Sequence, residues 1–198
     1  MLFFGLRGGI NTSIIFEEIN PDGFTIVGRH IGYNFGPTVH FEPSKFIGFN
    51  SGILFNSTGW VQDKKKLFDT LTSRKDVFKN IQIPATISLK FGIGSVTRIF
   101  IEGGVYSQVA VSGYSDIEDL YGRTYTRTIN WVKSKPTESS DFAYKRVNMG
   151  FIFGAGYQYK GLQIGTSYNL GLLDITKNDV RMHNHIWNFY LILRTWKR

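Results

Sequence analysis

Two histidines stand two residues apart in "MHNHIW", at His183 and His185. Imidazoles at this spacing on one strand face could share a metal ion, but such sites draw on further donors. None adjoins the pair, so it is read as structural, and no metal or cofactor is expected. "GAGYQYKG" (154–161) has the glycines of a phosphate loop. It lacks the Gly-Lys-Ser/Thr ending and the strand-to-helix context that such a loop needs. There is no Gly-x-Ser-x-Gly elbow, and nothing arranges the serines and acids as a triad. The chain is therefore not expected to be an enzyme, and His40 is read as a hydrogen-bonded structural residue.

Cysteine is absent, which removes disulfides, thiolate metal sites and cysteine nucleophiles. The formal charge is +8. No nucleic-acid recognition motif accompanies it, so nucleic acid is not an expected partner. The basic stretch "DKKKLFDTLTSRKDVFK" (63–79) spaces Leu67, Phe68, Leu71 and Phe78 helically. It is read either as a short amphipathic helix on a membrane surface or, preferably, as a solvated loop with a few packed side chains. The four longest loops balance in charge, so the whole excess lies in strands, short turns and the C-terminus.

The elements that carry these residues read as strands. Between Val147 and Ile175, Val147, Met149, Phe151, Phe153, Ala155, Tyr157 and Tyr159 alternate with Asn148, Gly150, Ile152, Gly154, Gly156 and Gln158. Large apolar groups take one face; glycine and amides take most of the other. Eight strand candidates follow from this period-two pattern, at 2–13, 30–41, 46–57, 80–91, 98–112, 146–159, 162–173 and 185–196. In the last, "HIWNFYLILRTW", both parities are apolar and the register stays open. Pro84 predicts a bulge or a late start in the fourth. The connections alternate long and short, which in a meander gathers every long loop at one end. No run of about 18 apolar residues exists to make a membrane helix. A small barrel has an interior just wide enough for side chains to fill. The pattern thus predicts an all-β, eight-stranded antiparallel up-and-down transmembrane β-barrel, apolar outside and polar within, forming one domain over 1–198. "MLFFGLRGGIN" has no cationic region or small-residue cleavage site, so the sequence is read as a mature chain.

Four stretches carry a family resemblance: "GLRGGINTS", "NIQIPATISLKFG", "IFIEGGVYSQVAVSG" and "GFIFGAGYQYKGLQIGTSYNLGLLDI". In this order they resemble the PorT-like outer-membrane β-barrel family of Bacteroidetes. The resemblance implies an outer-membrane barrel. It does not imply one activity, since the family includes both components of a secretion machinery and many proteins of unknown role. The end departs from the family's terminal aromatic, because Lys197 and Arg198 follow Trp196.

Two groups of residues are candidate sites. Arg7, Lys90 and Glu102 take inward parity and, with Asn50, Tyr106 and Gln108, are expected to form an interior polar network. Burying charge is costly unless it is paired, so Glu102 is expected to serve one or both bases. Lys45, Arg98, Lys160, Lys197 and Arg198 fall at the short-turn end as a basic rim opposed only by Glu42. Such a rim anchors to phospholipid head groups or docks an acidic partner; anchoring is preferred. The expected function is a non-enzymatic structural or interaction role in the bacterial outer membrane, as a subunit of a secretion or assembly complex. The alternative is a small barrel that binds or modifies a lipid or other ligand at its mouth. Expected partners are the bilayer, lipopolysaccharide and envelope proteins.

Overall fold

The computed structural model describes residues 1–19, 23–62, 71–93, 96–119, 121–129, 131, 144–175 and 181–195. Among the described residues, ten strand segments run in chain order: β1 (Leu2–Ile19), β2 (Gly23–Phe41), β3 (Ile47–Gly52), β4 (Leu54–Gln62), β5 (Leu71–Ile93), β6 (Thr97–Asp119), β7 (Thr124–Thr128), β8 (Val147–Tyr159), β9 (Leu162–Gly171) and β10 (Arg181–Arg194). Neighbouring strands in the sheet pair antiparallel, and β10 returns to β1 with Asn188 opposite Asn11, which closes the ring. β3 and β4 both lie between β2 and β5, interrupted at Ile53, and so make a single stave. β7 only flanks the outer end of β6, pairing antiparallel beside it. The barrel therefore has eight staves. Closure leaves no open edge in the wall, so its backbone groups are satisfied without water.

Parity along the staves sorts the side chains as the alternation predicts. Phe4, Leu6, Ile10, Phe35, Ile87, Ile101, Phe153 and Leu193 are exposed on the outer wall. Asn11, Asn34, Gln82, Gln108, Asn169 and Asn188 are buried within. The inward glycines make room for large neighbours. A Cβ on Gly156 would lie 2.3 Å from the Ile164 carbonyl oxygen and 2.5 Å from Phe100 Cζ. On Gly150 it would lie 1.9 Å from the Leu170 oxygen and 2.9 Å from Tyr106 Cε1. Gly156→Val should accordingly destabilise the barrel by at least the roughly 1–3 kcal/mol typical of overpacking, read as a lower urea midpoint. Gly8→Val is the control, because a Cβ there meets nothing within 4 Å.

Several expectations change. β5 and β6 each run for 23 residues, about twice the 9–11 that a tilted membrane strand needs. Much of the expected loops 14–29, 58–79 and 113–145 is thus strand that continues beyond the bilayer. The period-two pattern fades there because neither face meets lipid, while backbone pairing continues. The helix considered over 63–79 is replaced by strand from Leu71 onward; 63–70 lie outside the described residues. β5 also passes through Pro84 without a bulge, pairing it with Tyr106. The interruption falls on the neighbouring stave at Ile53 instead, beside the place where proline lacks a donor.

Candidate functional site

The lumen is filled by polar side chains in layers. In the middle layer, Arg7 on β1 donates from Nε to Asn34 Oδ1 at 3.0 Å and lies over the Tyr190 ring, 3.8 Å from its centroid. The Tyr190 hydroxyl donates to Glu102 Oε1 at 2.7 Å. Thr86 and Asn50 donate to the other oxygen of Glu102, at 3.2 and 3.5 Å. Asn50 Oδ1 is 2.9 Å from His40 Nδ1, and Thr38 Oγ1 is 3.0 Å from His40 Nε2. His40 is thereby held at both ring nitrogens.

An amide chain crosses the lumen toward the long-loop end. Asn34 donates to Asn188 at 3.4 Å, Asn188 to Asn169 at 3.3 Å, and Asn169 to Gln82 at 3.4 Å. Asn56 donates to the same Gln82 oxygen. These residues sit on β2, β10, β9, β5 and β4, so the chain links opposite walls. Above it, Asn148 donates to the Tyr106 hydroxyl at 3.4 Å.

At the long-loop end the lumen is capped. Trp60, Phe78, Ile129, Tyr144, Ile175 and Met182 form an apolar cluster, with Trp131 against it. Beside them buried Asp76 accepts from Arg74 Nε at 3.0 Å, from Ser115 Oγ and from the Tyr144 hydroxyl. The phenol's pKa is raised well above its ordinary value, by burial first and by the Asp76 charge second. It therefore stays a donor. A cavity of about 30 Å³ lies below, among residues that include Gln108, Asn148 and Asn184. The side-chain carbonyl oxygen of each of these three is buried without a hydrogen-bond partner.

At the short-turn end one carboxylate serves three bases. Glu42 follows β2 and is buried. Its Oε1 accepts from Lys90 on β5 and from Arg194 Nη2 on β10; its Oε2 lies 3.5 Å from Arg98 Nη1. Lys90 also donates to Gln158 at 3.1 Å. The Arg194 guanidinium stacks on Phe3, 4.4 Å from the ring centroid.

The six residues expected as one network are inward but divided. Asn50 bonds Glu102 directly, and Arg7 joins them through Tyr190. Lys90 belongs to the Glu42 layer, Tyr106 turns to Asn148, and Gln108 lines the upper cavity. Glu102 makes no ion pair with Lys90: Glu42 takes that base, because it enters the lumen from the turn and reaches Lys90 directly. Arg7 makes no direct ion pair with Glu102 either, because the Tyr190 phenol stands between them, but the Glu102 charge still acts on it.

Of the rim residues, Lys45 and Lys160 are exposed. Lys160 takes a left-handed φ of 51° in its two-residue turn and lies 5.4 Å from the Tyr159 ring centroid. Arg98 is drawn inward to Glu42. Lys197 and Arg198 lie outside the described residues. His183 and His185 stand on the outward parity of β10, and His185 Nδ1 bonds the Tyr168 hydroxyl.

Arg194 was missed because its strand looked apolar on both faces. The signal was present, since Asn184, Asn188, Tyr190 and Arg194 share one parity.

Residues 1–177 match a family model described as an outer membrane protein beta-barrel domain. No curated protein matches the chain. Among solved structures, Ail, the attachment invasion locus protein of Yersinia pestis, is 12% identical with a TM-score of 0.39, covering 96% of this chain and 98% of its own. Neisserial surface protein A is 10% identical with a TM-score of 0.45, covering 97% of each chain. OprG from Pseudomonas aeruginosa is 12% identical with a TM-score of 0.45, covering 98% and 96%. A family match across most of the chain thus meets a closed ring that is apolar outside and polar within: the protein belongs to the outer membrane protein beta-barrel domain family and resides in the bacterial outer membrane.

Proposed function

We propose that this barrel has a non-enzymatic structural or interaction role, as a subunit of an envelope secretion or assembly complex. The observation that carries the reading is the lumen. Amides on facing walls bond across it, an ion cluster fills one end and an aromatic cluster fills the other. Such an interior leaves the two ends and the outer wall to do the work. Outer-membrane barrels place short turns in the periplasm and long loops outside. On that orientation the β5–β6 hairpin rises well beyond the membrane and carries β7, whose five residues are all exposed. The PorT-like resemblance of the four quoted motifs supports a place in a secretion complex, and the basic rim supports contact with lipid head groups or an acidic periplasmic partner. Bilayer lipid, lipopolysaccharide and envelope proteins are the partners this reading assigns.

The experiment pairs two measurements on the tagged protein extracted in mild detergent. A defined envelope partner should co-purify in stoichiometric amount, and reconstituted protein should show no large, steady single-channel conductance. A porin-like conductance without a partner would overturn the reading. One observation favours the alternative of a ligand-binding mouth: the three unpaired amide oxygens around the upper cavity. A small molecule with hydrogen-bond donors retained in native mass spectra would support that alternative.

A further inference from the structure

The periplasmic layer is not electrically complete. Lys90 and Arg194 are buried, and Arg98 is mostly so. These three bases share one carboxylate, which leaves an excess of two positive charges. Both oxygens of Glu42 are already engaged. Arg194 donates to it through Nη2, while its Nε and Nη1 are buried without a partner. Unpaired charge and unpaired N–H groups away from water are both costly. Beside this layer lies a cavity of about 80 Å³, lined by Glu42, Arg98, Gln158, Lys160 and Arg194 together with Phe3 and the chain's first residue. A water's share of liquid volume is only about 30 Å³.

We propose that this cavity is a binding site for a phosphate group. A phosphate brings up to two negative charges, which offset the excess on the three bases that share Glu42, and several acceptor oxygens, which match several donors. Arg98 and Lys160 approach it from the rim and Arg194 from the lumen. Guanidinium groups suit phosphate because they remain charged and present several donors. Phe3, Gln158 and Arg194 are inward residues, so the cavity belongs to the periplasmic end of the lumen and not to the lipid wall. Three sources carry this group: free phosphate, a soluble phosphomonoester, and the head group of an inner-leaflet lipid reaching over the short turns. The chemistry is shared; the sources differ.

The test uses the full chain refolded in an uncharged detergent, with inorganic phosphate titrated by calorimetry at constant ionic strength. One saturable site per barrel is expected, and none for chloride. Arg98→Gln and Arg194→Gln should each weaken binding at least tenfold. Arg123→Gln, at the opposite end, should leave it unchanged. Arg98 is partly exposed, so its variant decides the matter if Arg194→Gln fails to fold. The titration is then repeated in nanodiscs of phosphatidylcholine with and without phosphatidic acid. Loss of phosphate binding in either lipid identifies a lipid head group, because phosphatidylcholine also carries a phosphodiester; binding in both identifies a soluble source. Absence of saturable phosphate binding, or full affinity in a folded Arg98→Gln barrel, overturns the proposal.

Discussion

Glu42→Gln should lower the stability of the folded barrel by about 3–5 kcal/mol, the usual cost of removing one partner from a buried ion cluster. The variant keeps the size of the side chain and an acceptor oxygen but removes the charge. Lys90 and Arg194, both buried, then face each other with no carboxylate between them. The loss exceeds that of a surface pair because water cannot solvate either base. Urea midpoints of the heat-modifiable folded form, taken in phosphate-free buffer at neutral pH, measure it. The dependence on pH gives a second check. Burial alone would raise the pKa of Glu42, but the hydrogen bonds and charges of Lys90 and Arg194 outweigh it and hold the carboxyl below its ordinary value of 4.5. A carboxyl depressed in this way contributes stability that is present above the unfolded value and is lost as pH falls through the folded one. The gap between the unmodified chain and Glu42→Gln should therefore be constant near neutrality and shrink below pH 4.5. A gap that widened on acidification would show that Glu42 is not the charged partner described.

Phe153→Arg should cost roughly 2–4 kcal/mol, the range for an arginine facing lipid near the bilayer midplane. Phe153 is central in β8, exposed on the outer wall, and opposite Gly103 on one side and Tyr168 on the other. The loss should appear as a reduced folded fraction on insertion into liposomes, with Phe153→Leu close to the unmodified chain. A Phe153→Arg protein that stayed folded and soluble without detergent would contradict the membrane assignment of the wall.

The wall was legible because lipid and lumen impose opposite demands on alternate residues. Phe151 and Phe153 on one parity and Gly154 and Gly156 on the other show this without any structure. The same logic fails above the membrane. The outer ends of β5 and β6 meet water on one or both faces, so their residues carry no clean alternation and read as loop. β10 also hid its register, because Ile186 and Ile192 fill the lumen and make its polar face look apolar. Pairing with β1, which sets Gly5 opposite Arg194, and with β9, which sets Leu162 opposite Leu193, resolves it.

By itself the sequence determined the all-β closed architecture and the inward and outward sets. Each follows from local rules of period, turn length and solvent. Who pairs with whom inside the barrel was decided only by the tertiary structure. Glu42 meets Lys90 and Arg194 across 48 and 152 residues of chain, and Tyr190 stands between Arg7 and Glu102. Parity states that a side chain enters the lumen. The stagger of the staves sets the height at which it enters, and so which charge it meets.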